Sequence, residues 1–340
     1  MKSKDFSDLK TPKATWTSLR IWDKKRKERK MIIDVHYHLF PKLSERMVRN
    51  LTQSAIRQAR EMGIEVDPEE LIKKVSATWP DPTGEGVLAI MEDAGIDLTL
   101  ICMVDNASIT QIKPENMQRG NKIVGDIARK NPGRIMALAG VDPRRPEAPD
   151  MLKQCFEEYG VRGLKYHPDD GYYPCGKESY KLLEVLVKYN GILLTHTSPL
   201  GPPSRSKYAE ALELSDLAVD FPDLKVIAAH MGMVNWRPWA SLAARQPNLY
   251  GDLAMWDHYT FTHFNLFCRE LRDILDYTGP SKVLFGTDNP MASAVVPTKT
   301  LIQLFKELPE KAPAGTRFTK EEVDGILGGN AASLLGIKNG

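Results

Sequence analysis

The stretch MIIDVHYHLF, Met31–Phe40, is an apolar run rich in β-branched residues that ends in two histidines one residue apart. Val and Ile favour extended backbone, and on a strand residues i and i+2 point the same way, roughly 6.5–7 Å apart. His36 and His38 therefore face one point together while Tyr37 points away. The stretch contains no glycine. An open doubly wound sheet calls for a Gly-rich phosphate loop after its first strand, so this opening speaks against that architecture.

Seven further runs of the same kind follow: LTLICMV (98–104), IMALAGV (135–141), VRGLKYH (161–167), ILLTH (192–196), KVIAAH (225–230), LYGDLA (249–254) and KVLFGTD (282–288). Between them lie segments with helical periodicity, at 115–130, 147–159, 178–189, 207–220 and 263–277. Short apolar runs separated by helices are what a parallel sheet buried on both faces requires. Eight such repeats at roughly 30 residues each predict an α/β protein, a (β/α)8 TIM barrel of about 250 residues plus insertions. The main insertion, 41–82, follows the first strand, with helices expected near 43–62 and 68–77. It reads as a cap or extra helical pair beside the barrel mouth, with Trp79 and Pro80 close to the first strand's outlet. The barrel is expected over 31–340, preceded by a basic N-terminal arm or extension over 1–30.

The charge is uneven. Residues 1–30 hold 11 Lys/Arg against 4 Asp/Glu, leaving 35 against 40 for the rest of the 340-residue chain. A nucleic-acid enzyme would carry its basic surface on the folded body, so that class is set aside. At 42% hydrophobic and 26% charged residues the composition is that of an ordinary globular protein. No apolar run reaches membrane-spanning length, and the N-terminus lacks the apolar stretch of a signal peptide. The four cysteines, Cys102, Cys155, Cys175 and Cys268, show no CxxC spacing, which fits a reducing cytoplasm. A small-molecule substrate and a homodimeric assembly are the expected partners.

Five of the seven histidines fall at or just beyond strand ends, and in a barrel the strand C-termini converge on the face where chemistry is built. His36 and His38 close the first strand, His167 the fourth, His196 the fifth and His230 the sixth, while Asp288 closes the eighth. Imidazole nitrogens bind a borderline metal such as zinc at about 2.0–2.1 Å. Several strands ending in ligand-type residues point to a metal site.

The pattern of HxH on the first strand, His on the fifth and sixth and Asp on the eighth resembles the amidohydrolase superfamily. The DxHxH opening, GLKYHP, AHMG, GTDNP and the closing ILGGNAASLLGI are similar to its amidohydrolase-related (amidohydrolase 2) branch, over about 31–340. That branch includes aminocarboxymuconate-semialdehyde decarboxylase and γ-resorcylate decarboxylase. The resemblance implies one divalent metal ion held by His36, His38, His196 and Asp288, with zinc expected and manganese or iron as alternatives. His230 is then the nearby acid/base or polarising group.

Three neutral histidines and one carboxylate leave a divalent cation positively charged, able to lower the pKa of bound water and polarise a carbonyl. Asp288 can accept a proton through its second oxygen, and His230 can bind an oxyanion or shuttle a proton. Lys165, His167 and Arg205 are the substrate-binding candidates. Lys165, at an inward position of the fourth strand, is either an ammonium for a substrate carboxylate or a carboxylated lysine bridging two metals, as in binuclear superfamily members. Arg205 lies on the loop after the fifth strand and could clamp a carboxylate. Asp105, Asn106 and Asp252 could line the mouth, and Trp79, Trp236 and Trp256 could wall it. His258 and His263 read as surface or pocket-edge residues. The expected function is metal-dependent hydrolysis of an amide, lactone or related carbonyl in a small acidic or aromatic molecule. The alternative is non-oxidative decarboxylation of an aromatic or unsaturated acid, and the KxHP segment departs from the decarboxylases.

Overall fold

A computed structural model describes residues 30–61, 63–294 and 296–337. The expected N-terminal arm, 1–30, lies outside the described residues but for its last position. Eight parallel strands follow one another in sequence order around the sheet: β1 (Ile33–His38), β2 (Leu98–Cys102), β3 (Ile135–Gly140), β4 (Gly163–Tyr166), β5 (Ile192–His196), β6 (Lys225–Ala229), β7 (Leu249–Asp252) and β8 (Val283–Leu284). β8 closes the ring on β1: Val35 N donates to Phe285 O at 3.0 Å and Asp288 N to His36 O at 2.9 Å. The protein is a (β/α)8 TIM barrel.

Alternation along each strand divides the apolar side chains between two layers. Ile33, Val35, Leu98, Leu100, Leu138, Ile192, Leu194 and Ile227 fill the barrel interior. Ile101, Ala137, Leu164, Leu193 and Val226 pack outward against the helices. The helices between strands include Pro114–Lys130, Tyr180–Lys188 and Phe264–Thr278. The segment expected to be one helix over 207–220 is instead two 3-10 turns followed by a short α-helix, Ser215–Asp220.

The interior alternation breaks at two places, and both serve the mouth of the barrel. Pairing of β1 with β2 shifts register between Asp34 and Tyr37. This irregularity lets Val35 point inward lower down and His36 and His38 point inward above it. On β6 the inward residues Ile227 and Ala229 are followed directly by His230. The chain turns there through the left-handed region, with φ 68° at His230 and 54° at Met231, a conformation that costs a non-glycine residue about 1–3 kcal/mol unless its surroundings hold it.

The insertion forms two helices, α1 (Glu45–Glu61) and α2 (Pro68–Thr78). Asp67 caps α2, its carboxylate accepting from Glu69 N and Glu70 N. The pair encloses a small core of Val48, Ala55, Leu71, Val75 and Trp79. Pro80 bridges Phe40 just past β1, so the insertion sits beside the mouth as expected. At the other end of the barrel Ala331, Ala332, Leu334 and Leu335 join the interior core, so the closing segment plugs the floor.

Candidate metal centre

The side chains at the ends of β1 and β8 converge. His36 Nε2, His38 Nε2 and the Oδ1 of Asp288 form a triangle with edges of 3.1, 3.1 and 3.0 Å. All three residues are buried. Among the described residues the Asp288 oxygen has no hydrogen-bond partner. Two ligands of one ion at about 2.1 Å lie about 3.0–3.4 Å apart, depending on coordination geometry, so the triangle has the spacing a cation requires.

Hydrogen bonds behind the rings fix where their protons sit. His36 Nδ1 faces Asp252 Oδ2 at 3.1 Å and so carries the proton, while its Nε2 faces Lys165 Nζ at 2.8 Å. His230 Nδ1 donates to the carbonyl of Ala254 at 2.9 Å. His196 Nε2 donates to the carbonyl of Ser198, also 2.9 Å away. The remaining nitrogens, His230 Nε2 and His196 Nδ1, then oppose each other 3.1 Å apart with a lone pair each. Acceptors that meet at this distance without a donor call for a proton or a cation between or beside them. The donor set fits a divalent metal ion.

Electrostatics agree with neutral imidazoles. Burial, with the Lys165 charge beside it, holds His36 well below its ordinary pKa. His196 is held well below by burial and the His167 charge, and burial takes His230 down to about 4. Burial also lowers His38. Metal binding needs the neutral ring. Burial tends to raise Asp288, yet His38, His230 and Lys165 around it together keep the carboxyl below the usual range.

Two further buried carboxylates stand behind this layer, both raised to about 7 by burial. Asp34 accepts from His36 N at 3.1 Å, Thr287 N at 3.0 Å and Thr287 Oγ1 at 2.7 Å. It thereby ties β1 to the residue preceding Asp288, whose own φ is 61°. Asp252 is the partner of His36 just described, and it also accepts from His230 N at 2.8 Å.

The other predicted residues separate into those near this cluster and those away from it. Lys165 is buried at its floor. His167 stacks on His196 with ring centroids 4.5 Å apart and an interplanar angle of 11°. Its Nδ1 lies 2.5 Å from Asp169 Oδ1, a partner that the sequence did not reveal. Against the opposing effect of burial, His167 holds Asp169 below the usual carboxylate range. Arg205 is exposed, and its backbone N–H donates to Asp169 O at 2.7 Å. Asp105 is engaged by Arg145 through two hydrogen bonds of 2.7 and 2.8 Å. Trp79 stacks with Phe40, which in turn stacks with His38. Trp256 donates from Nε1 to His230 O at 3.0 Å, whereas the indole of Trp236 bonds Glu270 in the helical layer. His258 lies beyond β7, with Nδ1 3.0 Å from Met255 O.

The family model of the amidohydrolases, Amidohydro_2, matches residues 33–337. No curated protein sequence matches the chain. Among solved structures, 2,6-dihydroxybenzoate decarboxylase complexed with 2,6-dihydroxybenzoate is similar at a TM-score of 0.60 and 19% identity, covering 91% of this chain and 100% of its own. The 5-carboxyvanillate decarboxylase of Novosphingobium aromaticivorans, complexed with manganese and a nitrobenzoic acid, gives a TM-score of 0.58 at 14% identity over 92% of this chain and 97% of that one. A probable 2-pyrone-4,6-dicarboxylic acid hydrolase from Acinetobacter baumannii, with citric acid bound, gives 0.57 at 16% identity over 90% and 99%. At these identities the likeness establishes the fold.

Proposed function

The chain belongs to the amidohydrolase family, and from that premise we propose that it is a metal-dependent, non-oxidative decarboxylase of a small aromatic or unsaturated acid. The observation that carries this reading is the likeness, along nearly the whole chain, to two decarboxylases of aromatic acids, combined with the convergence of His36 Nε2, His38 Nε2 and Asp288 Oδ1. It reverses the order suggested by sequence, where hydrolysis came first. The probable lactone hydrolase among the similar structures keeps hydrolysis as the second reading.

We assign His36, His38, His196 and Asp288 as the residues that hold one divalent ion. The nitrogen and carboxylate donors suit zinc, manganese or iron, and the manganese complex of the similar decarboxylase favours manganese over the zinc expected from sequence. When bound, such an ion supplies Lewis acidity and grips a substrate oxygen.

The chain's own residues supply the rest. Lys165, as an ammonium, and His167, held by Asp169, bind anionic oxygens of the substrate. The buried walls around His36 and His196 exclude water from the reacting carbon. His230, neutral at rest with Nδ1 committed to Ala254, presents Nε2 to the cavity and relays the proton that replaces CO2. Asp288 offers its carboxylate as the second station for that proton. The described cysteines are all free and, among the described residues, no helix is long and apolar enough to cross a membrane. The free cysteines support a cytoplasmic setting.

The test is incubation of metal-loaded protein with a panel of hydroxybenzoates and lactones, scoring CO2 release against acid release. CO2 from a hydroxybenzoate, with deuterium from D2O entering at the vacated carbon, is the expected result. Acid release from lactones with no CO2 from any acid would replace this reading with the hydrolytic one.

A further inference from the structure

Asp252 has no place in the reaction described above, yet it touches both halves of the site. The carboxylate is completely buried at the end of β7. Its Oδ2 lies 3.1 Å from His36 Nδ1. Its Oδ1 accepts from His230 N at 2.8 Å and from Ala254 N at 3.1 Å. Ala254 returns the connection, its carbonyl accepting from His230 Nδ1 at 2.9 Å.

We propose that Asp252 is a positioning residue that sets the His36 tautomer for metal binding and, through the same carboxyl group, holds His230 in its inward left-handed turn. The inference rests on the metal reading for its consequence, but its geometry stands independently. Oδ1 already accepts from two N–H groups and the carboxylate oxygen Oδ2 can only accept, so the proton of neutral His36 sits on Nδ1. The opposite tautomer would aim an Nε2–H at the Lys165 ammonium 2.8 Å away, donor against donor. The Nδ1–H form leaves Nε2 bare toward His38 and Asp288. Carboxylates behind ligating histidines act in this way, and losing one typically weakens metal binding 10–100-fold.

The second half of the assignment concerns the backbone. His230 has φ 68° and Met231 φ 54°, and the His230 N–H donates to Asp252 Oδ1 at 2.8 Å. Gly286 makes room for the arrangement: a Cβ there would lie 3.1 Å from both Asp252 Cγ and His36 Cβ. The carboxyl–imidazole contact is thus built into the packing between β7, β8 and β1.

The isosteric variant Asp252→Asn separates the two roles. Its amide oxygen can still accept from His230 N and Ala254 N, which turns the NH2 group toward His36 Nδ1 and forces the proton to Nε2. Chelator competition in the full chain should show metal affinity reduced about 10–100-fold, with the fold retained. Asp252→Ala should in addition lower kcat at saturating metal, because His230 loses its anchor. Metal affinity of Asp252→Asn within twofold of wild type would overturn the proposal. A second readout needs no variant of Asp252: 15N histidine NMR of the metal-free wild type, assigned with His36→Asn, should show His36 protonated at Nδ1. Protonation at Nε2 would overturn the proposal even if both Asp252 variants fail to fold. Failure of wild type to take up metal would end the metal reading instead, and the tautomer would still decide the role of Asp252.

Discussion

His36 Nε2 and Asp288 Oδ1 lie 3.1 Å apart inside the barrel, one a ring nitrogen facing an ammonium, the other a carboxylate oxygen without a hydrogen bond. Bringing two such acceptors together in a buried space is unfavourable, because their lone pairs repel and the Asp288 oxygen has given up water without gaining a donor. A divalent cation relieves both. Metal should therefore raise thermal stability: at a free concentration of 100 times Kd the gain is about 2.7 kcal/mol. Thermal melts with manganese, with zinc and with chelator check this, and melts that coincide in all three would contradict it.

His230 and His196 should respond differently to the same substitution. His230→Asn removes the proposed proton relay while leaving His36, His38, His196 and Asp288 in place. Its metal content should match wild type, and kcat should fall about 10²–10⁴-fold, the usual loss for one acid/base group or oxyanion donor. His196→Asn should lose metal and activity together. The reverse outcome would exchange the two assignments.

Thr287→Val tests the support behind Asp288. The threonine hydroxyl donates to Asp34 Oδ2 at 2.7 Å and accepts from Asn289 N at 3.1 Å. Valine fills the same space without either bond, leaving buried polar atoms unpaired at about 1–3 kcal/mol. Urea unfolding of the metal-free protein should show a loss in that range, and metal affinity should fall as the Asp288 turn loosens. A stability equal to wild type would mean that Asp34 finds another donor.

Gly328→Ala tests the contact between the two ends of the barrel chain. A Cβ at this position would lie 2.0 Å from Met31 O and 2.8 Å from Met31 C. Both atoms are backbone, so β1 or the closing helix must move, at about 1–3 kcal/mol or more. Gly329→Ala is the control, since its Cβ would come no closer than 3.4 Å to any neighbour. Equal melting temperatures for the two variants would show that Gly328 is not pressed against β1.

All eight strands were legible in the sequence because each is a compact apolar run whose period and spacing have no competing explanation. The inward set His36, Lys165, His196 and Asp288 was legible too, since residues at strand ends in a barrel share one face. His230 was placed in the cavity by its position after KVIAA, but strand alternation alone would turn it away from Ile227 and Ala229. Only the left-handed backbone at φ 68° brings it in. The supporting carboxylates were harder to read. Asp252 lies 216 residues from His36, and Asp34 lies 253 from Thr287, so nothing local marks either pair. Asp169 is two residues from His167, but a turn rather than a strand period joins them. Trp236 could be read from sequence either as a cavity wall or as aromatic packing, because an indole on an amphipathic helix looks the same from either side; its bond to Glu270 places it in the helical layer.

The central claim, that His36, His38 and Asp288 converge in order to hold a divalent ion, is tested most directly by elemental metal analysis after gel filtration. It should be made on wild type, His36→Asn and Asp288→Asn, with activity measured on the same samples. The account predicts close to one equivalent in wild type, little in either variant, and activity that follows the metal. Full activity in a wild-type sample shown to be metal-free, or wild-type metal content in both variants, would contradict it.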